Sequence, residues 1–471
     1  MPDARTWQVV AGSAAVGLAV SFATVAVAGP WESGQRTAER TAAASGGHQP
    51  DSRHTDAPRR QPPAEAAPPS AGKVLAAPAT DPGSLPTQPG LAARLAPLLR
   101  DPALGPLRTG AVIDAATGKL LYGSGAATPS VPASTIKIAT AAAALSVLGP
   151  DHRIATTVLA TGPHGTVLVG GGDPTLTTDA LRTLADDTAR ALKARSTTTT
   201  ALGYDISLYS GPAMHPIGRN ENIAPVTSLM LNEGRLDKSD HGPADRSTDP
   251  AADTAASFAT LLSARGITVT GTPAEAAAAV SGTKLATAES LPLSDLVERA
   301  LTNSDNDIAE ALARQTAIAA HLPASFAGAQ QAVTAALGRL GLPLAGAELT
   351  DGSGLNRADA LSAEQLARLL ALAAGPGHPQ LRTILTGLPV AGFSGTLADR
   401  FRGGPASGAG LIRAKTGTLT GVNAITGTVV AANGRLLTFA FLTQGTTSAT
   451  AAQSALDRLA SALAACGCQV P

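Results

Sequence analysis

Ser134 stands three residues before Lys137 in a stretch from Val131 to Leu148 that opens with Pro132 and continues as an apolar, alanine-rich run. Residues three apart share a helix face, so the spacing predicts a hydroxyl and an amine within hydrogen-bonding reach. A serine is a weak nucleophile until a neighbour takes its proton, and a lysine can take it only when neutral. Burial among Ile136, Ile138 and the alanines disfavours the ammonium, and a second cation nearby would lower its pKa further. The unpaired N–H groups of a helix start would also be free to face a developing oxyanion beside Ser134. Pro132 suits such a start and Gly149-Pro150 its end.

The Ser-x-x-Lys spacing alone is easily met by chance. Two further segments add to it: Asn303-Ser304-Asp305-Asn306 in a helical context, and Ala414-Lys415-Thr416-Gly417-Thr418 in a β-like run near the end. S-x-x-K, S-D-N and K-T-G in this order are the signature of class A β-lactamases and penicillin-binding proteins. From Leu91 onward the chain resembles more closely the penicillin-binding protein 4 type of D-alanyl-D-alanine carboxypeptidase, the serine peptidases of family S13. The resemblance is carried by Pro132 to Lys137, Gly171 to Leu176, Ala224-Pro225-Val226, Ser304 to Asn306, Asp351-Gly352-Ser353-Gly354-Leu355 and Lys415 to Thr418.

What the resemblance implies is an α+β, penicilloyl-serine-transferase (β-lactamase/DD-peptidase-like) fold, with Ser134 as the acylated nucleophile and Lys137 as its base. Ser304 would relay a proton to the leaving amine, and Asn306 would bond both Lys137 and the substrate amide, which a side-chain amide does without carrying charge. Lys415 would keep the cleft positive and help depress Lys137, while Thr416 would bind the terminal carboxylate. Gly417 would let substrate approach, and the backbone N–H groups of Ser134 and Thr418 would form the oxyanion hole. Leu419 would line the adjoining pocket. Arg357 resembles an arginine that holds a carboxylate of the peptide stem, with Asp205 and Tyr209 as further stem contacts. The reaction would be removal of the terminal D-alanine from peptidoglycan stem peptides, extending to D-alanyl cross-links, with β-lactams as covalent inhibitors and with no metal or organic cofactor.

The elements that must position these groups are legible at both ends of the folded part. Thr109 to Asp114 and Lys119 to Tyr122 read as a hairpin, and Leu411 to Thr418, Val422 to Ala431 and Leu436 to Leu442 as three more strands before a helix near Thr450 to Ala465. Together they predict one antiparallel sheet with helices on both faces, the catalytic domain being 89–151 and 285–471. Between its halves, 152–284 reads as an inserted smaller α/β domain. It carries strands at Thr157 to Ala160, Thr166 to Val169 and Ala201 to Tyr209, a turn at Gly170 to Leu176, and helices near Thr178 to Lys193 and Asp253 to Arg265. Ahead of these, residues 1–30 read as a signal peptide or signal anchor: no charge occurs from Gln8 to Pro30, and Ala26-Val27-Ala28 closes the run. Residues 31–88 read as a Pro/Ala-rich linker. This arrangement implies an extracytoplasmic, wall-associated protein that meets the membrane only through its N-terminal segment.

Other readings fail on the residues. The net charge is zero, which argues against a nucleic-acid surface. The eight histidines contain no H-E-x-x-H, no G-x-S-x-G elbow occurs, and Gly170-Gly171-Gly172 lacks the lysine of a phosphate loop. Cys466 and Cys468 are expected to play a minor structural role apart from the catalytic motifs. Two rivals survive: a β-lactamase, which needs a group to activate the deacylating water, and a non-catalytic penicillin- or peptidoglycan-binding module that keeps the cleft as a receptor.

Overall fold

A computed structural model of the protein describes residues 84–277, 282–402 and 408–468; the expected signal segment and nearly all of the linker lie outside them. In chain order, helix α1 (Gln88–Leu99) precedes strands β1 (Leu107–Asp114) and β2 (Leu120–Ser124), and a 3-10 turn at Ala133–Ile136 runs into α2 (Lys137–Leu148). Next come β3 (Ala155–Ala160), β4 (Gly165–Val169), β5 (Asp173–Leu176), α3 (Thr178–Ala194), β6 (Thr199–Asp205) and β7 (Leu229–Leu231). Then follow α4 (Pro250–Ser263), β8 (Thr268–Glu275), β9 (Thr283–Glu289), α5 (Leu293–Thr302), α6 (Asn306–Ala319), α7 (Phe326–Arg339), α8 (Ala363–Ala374) and α9 (Arg382–Gly387). The chain closes with β10 (Ile412–Leu419), β11 (Val422–Val430), β12 (Leu436–Gln444) and α10 (Ala449–Ala464).

The two chain ends meet in one antiparallel sheet of order β10-β11-β12-β1-β2. Its strands are buried on both faces, and their alternation divides the core in two. Ala111, Ile113, Ala440 and Leu442 face a layer built with α2, α6 and α8. Val112, Ile425, Phe439 and Phe441 face the layer built with α1 and α10. Helix α2 is the inner member of the first layer: every residue from Lys137 to Leu145 is buried, which only a run of small apolar side chains permits between a sheet and the helices α6 and α7.

A second sheet has the order β8-β6-β4-β3-β9, with β4, β6 and β8 mutually parallel and β3 antiparallel to both neighbours. Its own core includes Val158, Leu168, Leu184, Phe258 and Leu262 from the sheet and from α3 and α4. The segment read as a turn from Gly170 to Leu176 ends as strand β5, because Asp173 to Leu176 pairs in parallel with β7. Cys466 and Cys468 are joined in a disulfide, and the Cys468 carbonyl accepts the Thr87 N–H at 3.0 Å, which ties the cap of α1 to the end of α10. Among the described residues no helix is long and apolar enough to cross a membrane.

Candidate active site

Ser134 lies in the 3-10 turn, three residues before α2 begins, so its side chain projects from the lip of a buried helix rather than from its flank. Ala133, just before it, holds φ 45°, a conformation an L-residue adopts only under local constraint. No side chain caps α2, and the Ser134 N–H has no acceptor among the described residues.

Lys137 is fully buried, and its Nζ meets Ser134 Oγ at 3.1 Å, Asn306 Oδ1 at 2.7 Å and the Ser353 carbonyl at 2.6 Å. A neutral amine has two N–H bonds and one lone pair. The amide oxygen and the carbonyl can accept only, so they take the two N–H bonds, and the lone pair is left to the Ser134 hydroxyl. Burial brings that neutral form within reach of mildly alkaline pH: it lowers the Lys137 pKa to about 8, against the opposing pull of Asp351, Asp305, Glu310 and Asp359.

Asn306 begins α6, which Asp305 caps by accepting the Ile308 N–H at 3.0 Å. The Asn306 amide is fixed at both ends, its Nδ2 donating to the Asn222 carbonyl at 2.9 Å. Ser304 sits at φ 60° and its Oγ accepts from Lys415 Nζ at 2.8 Å. Lys415 is fully buried and also donates to the Thr416 carbonyl at 2.8 Å. Burial first, and then the proximity of Lys137, pushes its pKa well below that of an ordinary lysine.

Strand β10 is the edge of its sheet, and its spare backbone groups point into the cleft. The Ala414 N–H turns away from β11 to bond the Pro389 carbonyl at 2.9 Å. By the two-residue period of an unbroken strand, the N–H groups of Thr416 and Thr418 turn the same way. Gly417 is where β10 crosses the nucleophile turn: a Cβ there would stand 2.7 Å from the Pro132 carbonyl oxygen and 3.1 Å from Ala133 Cβ. Gly417→Ala is therefore expected to push the strand off the turn and slow acylation by roughly 100-fold, as misplacements of about 1 Å do; stopped-flow labelling by a penicillin measures it.

The cleft has a volume of about 420 Å³ and is lined by Ser134, Ser304, Asn306, Thr416, Thr418 and Leu419, with Lys137 and Lys415 beneath them. Arg357 is exposed and donates to the Thr420 carbonyl at 2.8 Å, at the Leu419 end of the strand and outside the lining. Asp205 and Tyr209 lie apart from the cleft. The Tyr209 ring stacks on Arg314 and its hydroxyl bonds the Gly172 carbonyl, and the Asp205 carboxylate accepts the Ser207 N–H.

Sequence reading passed over several groups that hold this cleft. Arg235 and Arg299 bond Glu233, and Arg246 bonds Asp307 at 2.8 Å, so buried acidic and basic side chains meet beneath the Ser304–Asn306 wall. The Asp351-Gly-Ser-Gly motif, quoted above without a role, proves to be the loop that carries the Ser353 carbonyl. Asp351 accepts the N–H groups of Ser353, Gly354 and Asn356, and Glu310 accepts those of Gly352 and Ser353. His215 closes the arrangement at 2.9 Å from Asp351. These two acid-rich clusters have the spacing of a cation site, but their carboxylates are engaged by the protein's own donors.

A serine and a buried lysine on one wall, a serine–asparagine pair on the second and a lysine–threonine–glycine edge strand on the third define the class of penicillin-recognising serine acyltransferases. The chain matches the model of the D-Ala-D-Ala carboxypeptidase 3 (S13) family over residues 91–239 and 237–465, and it belongs to that family. It is 39% identical over 438 residues to "Carboxypeptidase DacB" of Mycolicibacterium smegmatis, covering 88% of this chain and 92% of that one. It is 32% identical to "D-alanyl-D-alanine carboxypeptidase" of an Actinomadura species, covering 72% and 78% respectively. The fold matches the crystal structure of penicillin-binding protein 4 (dacB) from Haemophilus influenzae with a TM-score of 0.66 at 22% identity, covering 79% of this chain and 98% of that one.

Proposed function

We propose that this serine-type carboxypeptidase acts on the D-alanyl-D-alanine end of peptidoglycan stem peptides through an acyl-enzyme on Ser134. The observation that carries this reading is the Lys137 amine, whose two fixed acceptors leave its lone pair for Ser134 Oγ. Lys137 takes the hydroxyl proton as Oγ attacks the penultimate carbonyl carbon. The oxyanion forms against the N–H groups of Ser134 and Thr418, which are spare in the free protein. Because Lys415 occupies a lone pair of Ser304 Oγ, the Ser304 proton is free to pass to the leaving amine, and the proton that Lys137 took from Ser134 makes good its loss. D-alanine departs, and water then hydrolyses the ester. The same cleft supports attack on β-lactams and on D-alanyl cross-links.

The arrangement favours a peptidase over a β-lactamase. Asp305 is the single acid among the described residues that line the cleft, and it is engaged as a helix cap with Arg235 at 3.8 Å. Among the described residues no carboxylate is thus poised to activate a deacylating water, so a penicilloyl adduct should persist. We further place the protein outside the cytoplasm, with residues 152–284 as an inserted domain whose Asn222 and His215 brace the catalytic walls. The test is release of free D-alanine from a stem pentapeptide. Release by the wild type and none by Ser134→Ala is expected; equal release by both would overturn the reading.

A further inference from the structure

The turn that follows α9 reaches the cleft beside β10. Thr396 in this turn accepts from the Thr416 hydroxyl at 2.9 Å, and the turn ends at Arg400, which also lines the cleft. Arg400 is held from behind: Nε and Nη2 bond the two oxygens of Asp457 at 3.2 and 2.5 Å, and Nη2 also bonds the Gln453 carbonyl at 3.1 Å. The Gln453 side chain in turn donates to the Thr418 hydroxyl at 3.3 Å. Gln453 thus links Arg400 to the Thr418 hydroxyl, while Thr396, four residues before Arg400 in the same turn, holds the Thr416 hydroxyl, and the two hydroxyls share one face of the strand. Its Nη1 amino group has no partner among the described residues, and its side chain keeps 14% of its surface open.

The other arginines that line the cleft are buried against acids. Arg235 and Arg246 bond Glu233 and Asp307. Lys415 lies beneath the floor, and burial drives it toward the neutral amine. A guanidinium, in contrast, stays charged when half-enclosed, and its planar fork suits a carboxylate.

We propose that Arg400 is a specificity-determining residue: its Nη1 amino group, with the hydroxyls of Thr416 and Thr418, takes the free carboxylate of the residue on the leaving side of the scissile bond, and Asp457 holds the guanidinium in place. The inference rests on Ser134 being the nucleophile of this cleft. It confines the enzyme to leaving groups whose departing amine sits on a carbon that bears a carboxylate.

The test uses two N-acyl-D-alanyl thioesters that differ only in the leaving thiol, thioglycolate or its neutral amide, hydrolysed by the full chain. The wild type should prefer the thioglycolate ester. Arg400→Gln should lower kcat/KM for that ester roughly 10- to 100-fold, the worth of a charge-assisted hydrogen bond, and change the amide by no more than about twofold. Arg400→Lys should fall between, because a point charge replaces the fork, and Asp457→Asn should lose less than Arg400→Gln. Equal losses on both esters, or no loss on either, would overturn the proposal. Complete labelling of each variant by penicillin on long incubation reports an intact cleft. A wild type that neither labels nor hydrolyses either ester would instead contradict the nucleophile.

Discussion

Ser134→Ala should abolish D-alanine release, with a loss of at least about 10⁴-fold in kcat, the order seen when a serine nucleophile is removed from a catalytic unit. The protein should remain folded, because the hydroxyl's bonding is confined to Lys137 Nζ and the residue is only half-buried. A thermal melt within a few degrees of wild type, together with loss of the penicillin adduct, would separate the chemical role from a structural one. The variant keeps Lys137, Asn306 and the Ser353 carbonyl in place, and so should still bind substrate.

Lys137→Ala should cost roughly 10²- to 10⁴-fold in acylation, the range of a general base. Two effects combine here, and they can be told apart. Wild-type acylation should rise with pH and level off above about 8, since the neutral amine is the working form and burial lowers the pKa to about 8. The variant should lose that limb entirely. Truncation also empties a site deep in the α2 layer and strands the Asn306 amide and the Ser353 carbonyl. Lys137→Met, which refills much of the volume without the amine, should recover stability and not activity. In stability the sign is opposite to that of an ordinary salt bridge. The folded state holds its proton less tightly than the unfolded chain, whose lysine titrates near 10.4. The penalty of the buried ammonium is therefore full below pH 8 and is relieved as pH rises from about 8 toward that value.

The parts of the structure that the sequence made legible are those where chemistry or period constrains residue type locally. Ser134 and Lys137 share a face because they are three apart, and the strands at both chain ends show as short strand-like runs, the first two joined by a hairpin turn. The Ser304–Asn306 wall could be placed in a helical context, but its contact with Lys137 at 2.7 Å spans 169 positions and was reached only through family resemblance. Arg400, Asp457 and Gln453 illustrate what could not be read. Each is an ordinary polar residue in its local stretch, and their meeting depends on α10 packing against the edge of β10. The buried cluster of Glu233, Arg235, Arg246, Arg299 and Asp307 escaped notice for the same reason: in sequence such charges resemble solvated surface, and only tertiary burial gives them partners. Asp351 left a trace as part of a motif, but its work, presenting the Ser353 carbonyl to Lys137, is done through backbone groups that carry no side-chain signature.

The most direct measurement incubates the protein with a fluorescent penicillin and locates the adduct by peptide mass. A single stable adduct on Ser134, formed faster as pH rises toward 8 and absent from Ser134→Ala, is the predicted result. An adduct at another residue, or rapid turnover of the penicillin with no accumulated ester, would contradict a Ser134–Lys137 peptidase that deacylates slowly.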